Sequence, residues 1–281
     1  MEARSEHIRK QQKEAWNKFS PGWKKWDELN MDFLKPMGDE IINAIMPHGN
    51  EIILDTAAGT GEPGLTIATR LNGGKVVITD LSEGMLEVAR ENAVKRGITN
   101  IETVTCDVCD LPFADNTFDS ISCRLGFMFF PDMLLAAKEM FRVLKPGGKI
   151  AATVWSSPGK NAWVTVLLNV INNNIELRKP PAGAPGLYRC AEPGLVAGLL
   201  HKAGFKHITE SEVNGTLNAG SIDIYWTFMT EVVSVVVAAL SKADDVIKAK
   251  IKSELYKSVK EKYPSGTLAF DSSGLIVYGL K

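Results

Sequence analysis

Histidine and cysteine are scarce in this chain, four of each among 281 residues. His7, His48, His201 and His207 stand apart, and none is spaced to share a metal with the lone C-x-x-C of Cys106 and Cys109. A zinc site built from local ligands needs a second such pair. The two cysteines therefore read as small residues at a strand end, and all four cysteines are expected to stay reduced. No sign of charge dominates: 32 Lys and Arg stand against 33 Asp and Glu, for a net charge of −1. That balance gives no electrostatic footprint for a nucleic acid. Long apolar runs are missing too. The stretch from Val232 to Leu240 is interrupted by Ser234, and it falls far short of the roughly 20 residues that span a bilayer. The opening MEARSEHIRKQQKEAW has no hydrophobic signal region. The expectation is a cytoplasmic chain without stable membrane insertion, long enough to bury one large domain.

What is present centres on residues 52–71, IILDTAAGTGEPGLTIATRL. An apolar run ends at Asp55, a glycine-rich turn follows, and a helical pattern continues through Leu65, Ala68 and Leu71. Strand, turn and helix form half of a Rossmann-like unit. Glycine suits the turn because the backbone can bend tightly and approach a ligand with no Cβ in the way. The N–H groups that open the helix are expected to face that ligand. Gly59-x-Gly61-x-x-Gly64, with Asp80 roughly 20 residues on, satisfies a dinucleotide fingerprint. A NAD-dependent dehydrogenase is therefore one reading. Asp55, just before the turn, favours another: an acid there repels a pyrophosphate but can hold a ligand with an amino group. Asp107 closes what reads as the third strand. S-adenosylmethionine requires such a set, with polar groups for its methionine end, an acid for its ribose and another group at its adenine edge.

The rest of the chain alternates strand and helix patterns. KVVIT at 75–79 ends in Asp80, the third strand at 101–105 ends in Cys106-Asp107, and the fourth at 120–124 ends in Arg124. A helix from about Met133 stops at Lys145-Pro146-Gly147-Gly148, and a fifth strand runs from Lys149 to Trp155. This rhythm predicts a doubly wound α/β sheet with a ligand at the strand carboxyl ends. Residues 1–35 read as an N-terminal arm carrying Trp16, Phe19, Trp23, Trp26 and Phe33, with Pro21-Gly22 dividing it into two short helices. Most of these aromatics are expected to pack on the core, with Trp23 the exception that reaches a cofactor. Residues 36–281 read as the main domain. It holds insertions at about 156–190, including the Pro/Gly-rich KPPAGAPG, and at about 221–263, which read as helical.

In their order these motifs resemble the class I S-adenosylmethionine-dependent methyltransferases, in the ubiquinone/menaquinone-biosynthesis-like branch. ILDTAAGTG, VVITDLSEGMLEVA, CDVCDLPFADNTFD and RVLKPGG are similar to successive motifs of that family. Ala57 stands where the first motif usually has a glycine. The resemblance implies a Rossmann-like seven-strand sheet with the last strand antiparallel, so that residues 205–214 pair with 267–280. It assigns Asp55, Ala57, Gly59 and Gly61 to the methionine part of S-adenosylmethionine, and Asp80 to the ribose. It sets Leu81 and Met85 beside the adenine, with Asp107 and Val108 at its edge and the Arg124 backbone near the methionine end. FSPGW aligns with an arm motif that brings Trp23, and Trp16 less directly, beside the cofactor. The activity so implied is methyl transfer to a small, largely apolar acceptor, suggested also by the loop from Leu125 to Phe130 and the aromatics near Tyr225, Trp226 and Phe228. A non-catalytic S-adenosylmethionine-binding module stays open, as does the dehydrogenase. No residue pattern names a general base: His201 and His207 read as surface residues, and Asp132, Glu139 and Tyr188 have no supporting partner.

Overall fold

Apolar runs bounded by turn residues become buried strands. The computed structural model describes residues 2–176, 181, 183–264 and 266–281, with side chains from residue 5 onward. In chain order the elements are α1 (Glu2–Lys25), α2 (Asp27–Ile45), β1 (Ile52–Thr56), α3 (Gly64–Ala68), β2 (Lys75–Asp80), α4 (Glu83–Lys95), β3 (Ile101–Thr105) and β4 (Phe118–Arg124). There follow α5 (Met133–Val143), β5 (Leu144–Trp155), α6 (Ala162–Asn174), α7 (Leu195–Ala203), β6 (Lys206–Gly220), α8 (Ile222–Val232), α9 (Ser234–Leu240), α10 (Asp245–Lys262) and β7 (Leu268–Leu280). Part of KPPAGAPG, at 179, 180 and 182, lies outside the described residues.

The strands form one seven-stranded sheet in the order β3-β2-β1-β4-β5-β7-β6. β7 runs antiparallel to both β5 and β6, while β1 to β5 pair in parallel. The order reverses between β1 and β4. In an open sheet of this kind the loops after those two strands diverge, and they leave a crevice at the carboxyl ends. β1 is buried from Ile53 to Thr56, as expected of a strand covered on both faces. β6 pairs along its whole length with β7, from Lys206 opposite Leu280 to Gly220 opposite Leu268. The hairpin is thus longer than the 205–214 expected from sequence.

The arm differs from expectation in where it breaks. Pro21 sits inside α1, and the interruption comes at Trp26. Trp26 N–H still donates to Gly22 O at 3.0 Å, and Asn30 N–H to Trp26 O at 2.9 Å, so the helical ladder carries across the junction. Proline loses only one N–H, and the turn before it can absorb the kink. α2 continues to Ile45, past the boundary at residue 35 expected for the arm. The segment 221–263 splits into three helices, as α8 and α9 meet at 89°. Among the described residues no single helix is long and apolar enough to cross a membrane; α8 and α9 satisfy that test only as this bent pair.

Candidate functional site

The glycine turn after β1 is held from below. Asp55 is fully buried, and its carboxylate accepts Gly64 N–H at 2.9 Å and the Ser122 hydroxyl at 2.6 Å. Burial pushes its pKa up to about 7, against the pull of those two hydrogen bonds and of Arg124. Ala57, Gly59 and Gly61 all have positive φ, 51°, 57° and 109°. Ala57 is thus a non-glycine residue in the left-handed region, a strained choice for an L residue. A Cβ at Gly64 would stand 2.7 Å from Asp55 Oδ2, so only glycine fits there.

The N–H groups opening α3 do not face a ligand as expected. Gly64 N–H is taken by Asp55, and Thr66 N–H by Glu62 at 3.2 Å. A pyrophosphate would meet two carboxylates where a dinucleotide fold offers free N–H groups. The nicotinamide reading loses its physical basis at this point.

At the next strand tip, Asp80 accepts Gly59 N–H at 2.9 Å and Ser82 N–H at 2.8 Å. It ties the glycine turn to the start of α4, and desolvation raises its pKa. Ser82 caps α4 by accepting Met85 N–H, which directs Met85 towards the crevice. One strand further, Asp107 accepts Cys109 N–H at 2.9 Å and pairs with Arg9 of α1. Three acidic strand tips thus lie side by side, but only two open into the crevice.

α1 and α2 lie across the mouth. Asn17 Oδ1 accepts the Ser82 hydroxyl at 2.6 Å and Gly84 N–H at 3.1 Å. Glu231 of α8 takes Lys25 at 2.7 Å and the Trp26 indole N–H at 2.7 Å. Trp16 meets Phe129 edge to face at 5.1 Å and Trp23 at 6.0 Å. Deeper in, Phe33 stacks on Trp155 at 5.7 Å and meets Trp163 at 5.1 Å. Arg124 is half-buried beside α2, with Nη1 3.5 Å from Leu34 O and Nη2 3.5 Å from Met31 Sδ. Desolvation pulls its pKa down.

These parts enclose a cleft of about 1280 Å³, counting its open mouth. Trp16, Trp23, Ala57, Gly59 and Asp80 line it, and so do Leu81, Met85, Asp107, Val108 and Arg124. Asp55 and Gly61 do not; both lie one layer beneath. The spacing of the strand ends brought Asp55 to the right place but could not show its side chain turned inward. Sequence reading missed Asn30, Glu62, Trp155 and Trp163, which also line the cleft. Asn30 follows Trp16 and Trp23 at intervals of seven, the one signal that could have found it. Of the aromatics near 225–228, Phe228 reaches the cleft. Tyr225 is core, its hydroxyl donating to Trp163 O at 2.8 Å.

None of the side chains weighed as general bases lines the cleft. Asp132 caps α5, and Glu139 is paired with Arg142 at 2.8 Å. Tyr188 is not among the lining residues. His201 and His207 are exposed. Cys106 and Cys109 are both pushed up to about 12, chiefly by burial, so neither is a thiolate near neutral pH.

A family described as a methyltransferase domain matches residues 53–148. The demethylmenaquinone methyltransferase of Clavibacter sepedonicus is 41% identical over 115 residues, which cover 41% of this chain and 45% of that protein. The ubiquinone/menaquinone biosynthesis C-methyltransferase of Cellvibrio japonicus is 43% identical over 109 residues, 38% of this chain and 43% of that protein. The match thus spans a little under half the length of these relatives. The crystal structure of the YcgJ protein of Bacillus subtilis aligns at TM-score 0.58 and 18% identity, over 88% of this chain and 98% of that one, which shows a shared fold. Residues 53–148 thus match a methyltransferase domain, and the sheet order and the succession of motifs around it are similar to those of methyltransferases of the ubiquinone/menaquinone branch.

Proposed function

We propose that the chain transfers a methyl group from S-adenosylmethionine to a small, largely apolar acceptor, of the quinone-related kind that its relatives' names indicate. One observation carries the reading. A single cleft has acidic strand tips, Asp80 and Asp107, at one end and an apolar floor of Met128, Phe129, Phe130, Trp155 and Trp163 at the other. The acids suit a nucleoside with free hydroxyls and an amino edge; the floor suits a hydrocarbon body. The Trp23 indole N–H is buried in the same wall without a partner among the described residues, as a ligand-binding donor would be in the free protein.

In this reading Asp80 accepts the ribose hydroxyls, Leu81 and Met85 flank the adenine, and Asp107 with Val108 meets its edge. Ala57 and Gly59 lie along the methionine part. Asp55 and Gly61 act from beneath: Asp55 anchors Gly64 and Ser122, and Gly61 shapes the turn. Arg124 lies towards the methionine end. Bound S-adenosylmethionine would supply a methyl carbon already carrying a good leaving group. The chain's share is then to hold the acceptor in line and keep water out, and orientation of that kind can contribute roughly 7–11 kcal/mol to lowering a barrier. Trp16 and Trp23 on the arm, with Phe129 below, close the mouth and exclude water.

Titration calorimetry on the intact chain tests this. S-adenosylhomocysteine should bind and NAD should not. Absence of S-adenosylhomocysteine binding at high micromolar ligand refutes the reading.

A further inference from the structure

One face of the arm looks into the cleft, and the amide donor of Asn30 on it has no partner among the described residues. Gln12, Trp16, Trp23, Asn30 and Leu34 all line the cavity. The last three lie on a helical ladder that is unbroken at Trp26, so the intervals of seven put Trp16, Trp23 and Asn30 on one side. Followed from its start, the arm passes from the nucleoside end, where Arg9 meets Asp107, to the deep end, where Phe33 stacks on Trp155. Asn30 sits at the deep end. It is 2% exposed, and its Nδ2 has no hydrogen-bond partner among the described residues. Buried amide donors are nearly always paired, so one left open on a cavity wall points to a ligand.

Arg124 lies within a turn of it. Leu34 O and Met31 Sδ are its two hydrogen-bond contacts, both at 3.5 Å. Among the described residues no carboxylate lies within ion-pair distance of Arg124. Glu62 is taken by Arg96 and Thr66, and Asp80 by backbone N–H groups. The deep corner therefore offers an amide donor and a guanidinium with no carboxylate bonded to it among the described residues, beside the apolar floor of Trp155 and Trp163. Glu62, Asp55 and Asp27 act on the guanidinium only at longer range, so a ligand's anion would be its first direct charge partner among the described residues.

We propose that Asn30 and Arg124 form a specificity corner that holds a weakly acidic oxygen of the methyl acceptor, bound as its anion and attached directly to the acceptor's apolar body. This rests on the methyl-transfer reading. Asn30 is the residue that sets the preference, since its side chain has no hydrogen bond to lose among the described residues. The competing occupant of the corner is the carboxylate of the methyl donor itself, and the experiment separates the two.

Equilibrium dialysis of the full chain saturated with S-adenosylhomocysteine compares 1-naphthol with 1-methylnaphthalene, two probes of the same shape that differ in the oxygen. The wild type should prefer 1-naphthol by about tenfold or more, as sites built to bond a hydroxyl do. Asn30→Leu should bring the ratio down to about one while leaving S-adenosylhomocysteine affinity within about twofold. Asn30→Asp keeps the side chain's shape and should abolish the preference as well, by setting a carboxylate against the oxyanion. A preference that survives in both variants overturns the proposal, and so does its absence in the wild type. A fall in S-adenosylhomocysteine affinity with the ratio unchanged assigns the corner to the donor's carboxylate and also overturns it. Failure of the wild type to bind S-adenosylhomocysteine takes down the methyl-transfer reading, and this assignment with it.

Discussion

Asp80→Ala is the most informative single change. The carboxylate now receives Gly59 N–H at 2.9 Å and Ser82 N–H at 2.8 Å, so it fastens the glycine turn to the α4 cap. It is half-exposed towards the cleft, and water can reach the two N–H groups once it is gone. The loss of folding stability should therefore sit near the low end for charge-assisted bonds, about 1–2 kcal/mol in all. The cofactor effect should be larger. Two bonds from ribose hydroxyls to a carboxylate, at the low end of about 1.5 kcal/mol each, amount to roughly 3 kcal/mol, or about 100-fold in Kd. Asp80→Asn keeps one carbonyl acceptor and should lose about tenfold. The assay is calorimetry with S-adenosylhomocysteine, run beside thermal melts that confirm folding. The 2′-deoxy analogue completes a double-mutant cycle. Removal of the hydroxyl should weaken the wild type and leave Asp80→Ala almost unaffected. A folded Asp80→Ala protein that binds S-adenosylhomocysteine as tightly as the wild type refutes the assignment, and so does a cycle with no coupling.

Other consequences are open to direct measurement. Asp55 titrates at about 7 when folded, above its unfolded value, so the native state binds the extra proton. Stability should then fall as pH rises from about 4 to about 7, and Asp55→Asn should flatten that slope in urea denaturation; an identical slope in both proteins would count against the burial argument. Gly64→Ala forces a Cβ to within 2.7 Å of Asp55 Oδ2 and 3.2 Å of Ile78 Cγ1, and should cost about 1–3 kcal/mol, read as a lowered Tm. Arg9→Ala removes a half-exposed pair with Asp107. It should shift stability by less than about 1 kcal/mol, with any S-adenosylhomocysteine effect fading as salt is raised.

The sequence by itself determined the sheet and where its tips fall. Short strand-like stretches ending in Asp55, Asp80, Asp107 and Arg124 are local signals, and alternation with helical stretches leaves few topologies open. The glycines at 59 and 61 were equally legible, since a turn with positive φ is a property of the turn itself. Tertiary structure decided which groups face the ligand. Asp55 and Asp80 end adjacent strands alike, yet one is buried against Gly64 and Ser122 while the other opens to the cleft. That difference depends on side-chain direction and on partners nearly 70 residues away, which no local pattern encodes. The break in the arm at Trp26 instead of Pro21, and the place of Asn30 beside Arg124, were settled in the same way. Both depend on where α1 and α2 come to rest across the sheet, and that is fixed by packing between elements far apart in the chain.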